Sequence, residues 1–206
     1  MKRLYTFFMA AALCLSSNAA TPINVVNGIS QELAVSRAAI VGNITYDLTF
    51  NIPASKTEAV KGNATITFIY KGGKTDLQLD FQGAPSQFDG LCVVNGKQIA
   101  VAWQDEHILI PRKSLRRGKN IISMSFISGD KSLNRNADYL YTLFVPEHAR
   151  SVFPCFDQPD LKALFRTRLN VPEGWETITS VSTERIPTYL FSFVAGKFSK
   201  QTLERN

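Results

Sequence analysis

The most distinctive segment of this chain is Ala149-Arg150-Ser151-Val152-Phe153-Pro154-Cys155-Phe156-Asp157-Gln158-Pro159. We call residues 149–159 the corner segment. Pro154 and Pro159 each fix a backbone φ angle, which favours a tight connection between two elements. The residues that supply apolar surface for burial are Phe153, Cys155 and Phe156. Asp157 can accept backbone N–H bonds in the turn before Pro159. The composition therefore predicts a buried corner of the fold.

The polar and reactive side chains in and next to the corner segment allow a structural and a catalytic hypothesis. Arg150 and Asp157 could form a buried, hydrogen-bonded pair that holds the corner together. The competing hypothesis makes Cys155 a nucleophile with His148 as its base. A catalytic thiol needs an electropositive, partly exposed setting, whereas Cys155 lies between a proline and an aromatic residue. We therefore favour the structural interpretation.

Segments on both sides of the corner alternate apolar and polar residues with a period of two, which is typical of half-buried strands. The predicted strands are residues 44–52, 64–70, 77–81, 93–94, 99–103, 107–110, 121–127, 139–145, 163–171 and 189–194. Asn95-Gly96 predicts a tight hairpin turn. No long helix is expected; the best helical candidate is residues 146–150, where Pro146 suits a first turn and Glu147 the positive end of the helix dipole. The pattern predicts an all-β, saddle-like β-sandwich of packed antiparallel and mixed sheets.

The corner segment and the Lys162-Ala163 that follows it resemble a hallmark of the aminopeptidase N family of zinc metallopeptidases. The family form is Ala-Arg-x-x-Phe-Pro-Cys-Phe-Asp-Glu-Pro followed by x-x-Lys-Ala, and this chain differs by Gln158 in place of the usual Glu. Residues 186–198 resemble the strand that closes the family's N-terminal domain. The resemblance implies an N-terminal β domain over residues 20–206, with a strand pair missing near Ser180 and Val181.

In the family, zinc is bound by a separate, downstream helical domain that carries His-Glu-x-x-His. This chain has two histidines, His107 and His148, which are too far apart in sequence to form that motif. A zinc site made from these histidines with Cys92 and Cys155 has no closely spaced pair of ligands, so we do not expect one. The resemblance implies that zinc and the catalytic residues belong to a catalytic domain absent from this sequence.

The family's N-terminal domain also supplies a Glu or Gln that binds the free amine of the peptide substrate, five positions before the hallmark Arg. Val145 occupies that position in this chain. The resemblance therefore implies that the amine contact is lost, or that Glu147 approximates it.

The first residues are typical of a secretory signal peptide. Lys2 and Arg3 form a positive region, residues 4–15 are an apolar run, and Ser17-Asn18-Ala19 supplies small residues for cleavage after Ala19. We therefore predict a signal peptide over residues 1–19 and an exported mature chain, periplasmic or extracellular. The apolar run is shorter than the roughly 20 residues that a membrane-spanning helix needs, and no span is expected in the mature chain.

Charge and cysteine content limit the other functions. The formal net charge is +6, and five basic residues cluster near one predicted turn: Arg112, Lys113, Arg116, Arg117 and Lys119. No aromatic stacking platform accompanies them, so the cluster is interpreted as a solvated loop and no nucleic-acid partner is expected. An exported chain could form a disulfide, but Cys92 and Cys155 do not make a disulfide framework, and we expect buried free thiols.

Three functional hypotheses remain for a chain of 206 residues with one core. The favoured one is a non-catalytic N-terminal domain of an exported zinc aminopeptidase, partnered by a catalytic domain. The alternative is a free-standing β-sandwich that binds a peptide or glycan through a sheet face or the hairpin at 95–106, with Trp103 as a stacking platform. The third, an enzyme with a site assembled from scattered residues, has no recognisable constellation.

Overall fold

The computed structural model describes residues 24–83, 85–199 and 201–202. The predicted signal peptide lies outside the described residues. The helix and strands in chain order are α1 (Gln31–Ile40), β1 (Val41–Asn51), β2 (Lys61–Tyr70), β3 (Leu77–Asp80), β4 (Leu91–Val94), β5 (Lys97–Ala100), β6 (Ala102–Gln104), β7 (His107–Ile110), β8 (Gly118–Ile127), β9 (Leu133–Arg135), β10 (Tyr139–Thr142), β11 (Ala163–Asn170), β12 (Glu176–Ile178) and β13 (Val194–Gly196).

The largest sheet has six strands in the order β11-β1-β2-β8-β4-β5. β1 pairs in antiparallel fashion with β2 and in parallel fashion with β11, so the sheet is mixed. The apolar positions of β1 are all buried, as the period-two pattern predicts: Ile44, Tyr46, Leu48 and Phe50. Asn95 and Gly96 have φ angles of 52° and 84° and join β4 to β5, which confirms the predicted hairpin turn.

Two smaller sheets complete the fold, one with the order β12-β13-β10-β9 and one with the order β3-β7-β6. A single cluster of buried apolar side chains includes residues from all three sheets, such as Ile44, Leu79 and Leu140. The prediction of packed, mixed sheets is therefore confirmed. The predicted strand at 99–103 is interrupted instead at Val101, whose N–H donates to Gly90 and whose two sides belong to different sheets.

The described residues contain one short helix that the sequence analysis did not predict, α1, which has ten residues. Ser30 caps it by accepting a hydrogen bond from the backbone N–H of Leu33 at 3.1 Å. Its buried positions are Leu33 and Arg37, while Val35 is 64% exposed, so an apolar period does not mark the helix. Of the predicted helical stretch 146–150, only the end is helical, as a short 3-10 turn at Ala149–Ser151.

The predicted strand at 189–194 is also wrong over most of its length. Thr188–Leu190 is a 3-10 turn after Pro187, and strand pairing begins at Val194. Residues after the predicted deletion at 180–181 return to the edge of the six-stranded sheet, where Ser182 bridges Arg166 and Ile186 bridges Ala163. The edge strand β11 is therefore partly covered by this segment. Within the described ranges, no helix has the length and hydropathy needed to cross a lipid bilayer.

Candidate functional site

The corner segment is attached to the three-stranded sheet through Asp80, the last residue of β3. The backbone N–H of Asp80 donates to the Cys155 carbonyl at 2.8 Å, and the N–H of Cys155 donates back to the Asp80 carbonyl at 3.0 Å. The Asp80 carboxylate also accepts the N–H of Asp157 at 2.8 Å. On the other side, the N–H of Phe156 donates to the Tyr46 hydroxyl at 2.8 Å. These bonds join the corner to both of its neighbouring sheets.

Arg37 of α1 neutralises the buried Asp80 carboxylate. Its Nη1 lies 2.5 Å from Asp80 Oδ1, and its Nε donates to Gln158 Oε1 at 2.7 Å. The guanidinium lies 5.7 Å from the ring centroid of Phe156, within the range of a cation–π contact. Gln158, the residue that departs from the family hallmark, is thus a direct partner of this arginine.

Burial opposes ionisation of Asp80, but Arg37 and His107 outweigh it and lower the pKa of the Asp80 carboxyl. His107 Nδ1 lies 3.0 Å from Asp80 Oδ1, and Nε2 contacts the carbonyls of Val26 and Gly28 at 3.0 and 2.9 Å. Because carbonyl oxygens only accept, the imidazole donates through Nε2. Because its pKa is lowered, the Asp80 carboxylate contributes its full stabilisation at pH values above the ordinary pKa of aspartate. This contribution is lost as the pH falls through the lowered pKa of the folded state.

The predicted Arg150–Asp157 pair is organised differently from the expectation. Asp157 Oδ2 accepts the backbone N–H of Arg150 at 3.0 Å, whereas the two side chains are 4.0 Å apart. The Arg150 guanidinium lies instead between Glu147 Oε2, at 3.3 Å, and Glu106 Oε2, at 3.5 Å. Burial alone would lower the pKa of Arg150, but these carboxylates, Glu147 first, raise it. Asp157 therefore holds the backbone of the corner, and Arg150 binds two other acids.

Asp157 gives the corner a pH dependence that a variant can reveal. Burial raises the pKa of its carboxyl from 3.8 to about 6, against the opposing effect of the Arg150 N–H. The folded state then binds this proton more tightly than the unfolded state, so the free energy of unfolding falls as the pH rises from about 4 to about 6. A shift of about two units corresponds to roughly 3 kcal/mol. Asp157→Asn, which keeps an acceptor for the Arg150 N–H, should remove this slope in urea titrations across that range.

The matched control for this titration is Asp138→Asn, since the Asp138 side chain is 68% exposed. It should leave the slope between pH 4 and pH 6 as it is in the unaltered protein. An Asp157→Asn variant with the same slope as the Asp138→Asn variant would contradict the assignment.

The cysteines are not arranged for catalysis. Both Cys92 and Cys155 are free and buried, as predicted. Burial, reinforced by Asp89, raises the pKa of Cys92 to about 12, and burial with Asp157 and Asp80 raises that of Cys155 well above its ordinary value. A thiol that stays protonated is a poor nucleophile. No hydrogen bond among the described residues joins His148 to Cys155.

The part of the chain that the structure describes contains no group of three or more His, Cys, Asp or Glu side chains placed to bind a metal. Both ring nitrogens of His107 face other partners, Asp80 on one side and two carbonyls on the other. The indole of Trp103, the predicted stacking platform, is partly buried. Trp103 donates from Nε1 to the Phe81 carbonyl at 2.8 Å and packs against the core.

The residues just before the corner lie on an exposed apolar surface. Directly paired residues share a face, so Ile178, Val194 and Tyr141 form one row across β12, β13 and β10. Tyr139 stacks on Tyr141 with ring centroids 6.2 Å apart. We call this surface the outer face, and its exposed members, between 39% and 65% exposed, are Tyr139, Tyr141, Leu143, Val145, Ile178 and Phe198.

The ring of Phe198 completes the outer face by lying over Gly196. A Cβ at Gly196 would come within 2.8 Å of Phe198 Cζ and 2.7 Å of Tyr139 Cβ, so glycine is what lets these two aromatic residues meet over the strand. Val145, at the amine-binding position of the family, is 52% exposed on this same surface. Glu147, the alternative amine ligand, is already paired with Arg150.

Comparisons with known proteins agree with this architecture. The Peptidase M1 N-terminal domain matches residues 128–190. Aminopeptidase N of Streptomyces lividans is 26% identical over 194 residues, which cover 82% of this chain and 22% of that protein. Probable M1 family aminopeptidase 2 of Encephalitozoon cuniculi is 33% identical over 117 residues, covering 42% of this chain and 13% of its own length. This chain therefore spans about a fifth or less of the length of these relatives.

Solved structures give the same fold. The M1 zinc metallopeptidase from Deinococcus radiodurans superimposes with a TM-score of 0.62 at 19% identity, covering 76% of this chain and 42% of that one. Native yeast LTA4 hydrolase gives a TM-score of 0.62 at 20% identity, over 82% of this chain and 31% of the other.

The packed sheets and the buried corner thus define an all-β domain with the fold found in M1 zinc metallopeptidases. The match to the Peptidase M1 N-terminal domain contains the corner segment. Residues 128–190 are similar to the Peptidase M1 N-terminal domain, and the resemblance predicted from the hallmark is confirmed over this stretch.

Proposed function

We propose that this chain is the non-catalytic N-terminal domain of an exported zinc aminopeptidase, and that it covers and orients the catalytic domain. The parent activity would be removal of N-terminal amino acids from peptides, with zinc held by the catalytic domain. The similarity of residues 128–190 to the family's N-terminal domain supports this proposal. Among the described residues, His107 is held by Asp80 and the two cysteines are buried free thiols, so these side chains do not form a zinc site.

The observation that carries the proposal is the outer face. Contiguous exposed apolar surface on a soluble domain marks an interaction site, and tyrosine is enriched in such interfaces. Tyr139 and Tyr141 stand on the sheet directly before the corner, so a domain docked there would contact rigid elements. The corner itself is fixed by the Asp80 and Tyr46 hydrogen bonds, which would hold the docked domain in one orientation.

The outer face also implies how the substrate amine is treated. Val145 cannot accept a hydrogen bond through its side chain, whereas the half-exposed Glu147 carboxylate lies 3.3 Å from Arg150 and keeps further acceptor positions. We propose that this chain contributes apolar surface near the substrate and that the amine is bound by Glu147 or by groups of the catalytic domain.

Binding to a catalytic fragment tests the docking. The fragment is the product of the coding sequence that follows Asn206 if this contains His-Glu-x-x-His, or otherwise Streptomyces lividans aminopeptidase N without the segment that this chain matches. We expect a complex by size-exclusion chromatography and calorimetry. Leu143→Lys, on the outer face, should weaken it about tenfold or more, because a lysine ammonium is poorly accommodated in an apolar interface.

Val35→Lys is the matched control, since Val35 is a similarly exposed apolar residue on α1 and should leave the affinity unchanged. Equal losses for both variants, or no complex at all, would refute docking on the outer face. The non-catalytic role is tested by adding zinc to the purified chain with amino-acid anilides. Chelator-sensitive turnover would refute that role independently of the docking result.

Export is proposed from the first residues alone, with cleavage after Ala19. Expression of the chain with its own N-terminus should give a mature protein that begins at Ala20, recovered from the periplasm or the medium. Intact-mass measurement and N-terminal sequencing check this outcome. Recovery of the uncleaved chain in the cytoplasm would contradict it.

A further inference from the structure

The basic residues singled out in the sequence belong to a larger surface at one end of the six-stranded sheet. Tyr70 at the end of β2 pairs with Gly118 at the start of β8, which brings the loops after β2 and before β8 together. Arg117 then donates to the Lys71 carbonyl. We call this surface the basic end, and its cations are Lys71, Lys74, Lys97, Arg112, Lys113, Arg116, Arg117 and Lys119. Among the described residues, none of these side chains forms an ion pair with an acid.

A groove of about 800 Å³ crosses the basic end. One wall is β5, with Lys97, Ile99 and Ala100, and the other is the 3-10 turn at Arg112–Ser114 and the residues after it, with Lys113, Leu115 and Arg116. No acidic residue is among the lining residues. Ile99 and Leu115 are partly buried against the core, so the groove has an apolar floor between cationic walls.

The groove is held open by asparagine side chains. Asn95 Nδ2 donates to the Ser114 carbonyl at 3.3 Å and to Asn120 Oδ1 at 2.9 Å. Asn120 is buried and donates to the Arg116 carbonyl at 2.6 Å. The two walls are therefore connected by hydrogen bonds below the cations, and the shape of the groove does not depend on a bound partner.

One wall of the groove is also a free sheet edge. β5 is the last strand of the six-stranded sheet and pairs with β4 alone. In an antiparallel pair, alternate residues direct their N–H and C=O groups away from the partner strand, and after a two-residue turn between Val94 and Lys97 these are Gln98 and Ala100. No backbone bond among the described residues uses these groups. An extended peptide can therefore add to β5 as a further strand.

We propose that the groove beside β5 binds an extended acidic peptide segment of a partner protein, which pairs with the backbone of β5 and places carboxylates against Lys97, Lys113 and Arg116. Side chains of Lys97 and Ile99 lie on the same side of the strand, so the segment presents acidic and apolar residues two positions apart. This site is distinct from the outer face. β9 belongs to the sheet that carries the outer face, and its Arg135 donates to the Ser55 and Glu58 carbonyls. These carbonyls lie in the loop between β1 and β2, at the opposite end of these strands from the basic end.

The test uses the full chain and a fluorescein-labelled peptide, Thr-Glu-Thr-Val-Thr-Glu-Thr, in anisotropy titrations. We expect saturable binding that weakens with added salt, and no binding of the same peptide with lysine in place of glutamate. Lys97→Glu combined with Lys113→Glu should weaken binding by about tenfold or more. The matched control is Lys56→Glu combined with Lys162→Glu, which makes the same charge change at exposed sites away from the groove and should have little effect.

Backbone pairing is tested separately from charge. A peptide N-methylated at alternate positions keeps the carboxylates but cannot donate to β5, and it should lose most of the affinity. Amide resonances of Gln98 and Ala100 should shift in the complex with the unmodified peptide. Equal binding of the N-methylated peptide would overturn strand addition, and equal losses for the two charge variants would overturn the site.

An anionic membrane is the competing partner for a basic surface. If the chain binds vesicles of equal parts phosphatidylcholine and phosphatidylglycerol but not the peptide, the proposal is wrong and the basic end is a lipid contact. Binding of the peptide with negligible vesicle binding supports the proposal.

Discussion

Asp80→Ala should lower the free energy of unfolding by about 3–5 kcal/mol, since it leaves the Arg37 guanidinium buried without its counter-charge. The variant also removes the acceptor of the Asp157 N–H and the partner of His107. Domains of this size are stable by about 5–15 kcal/mol, so the loss is a large part of the total. Urea denaturation followed by circular dichroism measures it.

The chain offers a closely matched control in Asp47→Ala. Asp47 also faces an arginine, Arg166, at 3.4 Å, but both side chains are about half exposed. Solvent-exposed pairs contribute about 1 kcal/mol or less, so this variant should be nearly neutral. If Asp80→Ala does not fold, Arg37→Met provides a second measurement. Similar, small losses for Asp80→Ala and Asp47→Ala would show that the corner does not depend on its buried ion pair.

Phe153→Ala should cost about 3–5 kcal/mol, the usual loss when a fully buried aromatic residue is truncated. Phe153 has ring contacts with four aromatic neighbours at centroid distances of 5.8–6.2 Å, namely Tyr46, Phe50, Phe144 and Phe191. No single neighbour can move to fill the space without losing contacts elsewhere, because protein cores are close-packed. Thermal and urea denaturation give the loss of stability.

Phe198→Ala serves as the control for this truncation. It removes the same type of side chain from the exposed outer face. The free energy of unfolding should therefore fall by much less than it does for Phe153→Ala. Phe153→Leu should fall between the two, since most of the buried volume is kept. An equal loss for Phe153→Ala and Phe198→Ala would mean that the aromatic cluster is not the centre of the core.

Most strands could be predicted from the sequence because their burial is one-sided. In β1, residues facing the core and residues facing solvent alternate along the strand, and the apolar pattern records that alternation directly. The hallmark predicted a buried corner for a similar reason, since two prolines and several aromatic residues suit few other settings. Asp80 and Arg37 were not found, because single charged residues in a sequence give no sign of where tertiary contacts bury them.

The helix α1 was missed for a related reason. One of its two buried positions is an arginine, and its exposed face includes Val35. The apolar residues therefore do not mark the buried face of the helix. The signal that could have revealed it is local: Ser30 as a cap, Glu32 in the first turn, and a run of good helix formers without Gly or Pro. Residues 191–193 show the opposite error. Phe191 and Phe193 are buried with the spacing of a strand, but burial by core packing does not require strand pairing.

The parallel pairing of β1 with β11 matters for the order in which the chain can fold. Ile44 pairs with Ala163, and the Phe156 N–H meets Tyr46 across a separation of 110 residues. During synthesis, β1 can pair with β2 early, but most of the domain must emerge before its parallel neighbour β11 exists, and contacts so distant in sequence slow folding. For a chain that crosses a membrane while unfolded, as the proposed export requires, that delay is useful. The corner then closes the domain only after its last third has arrived.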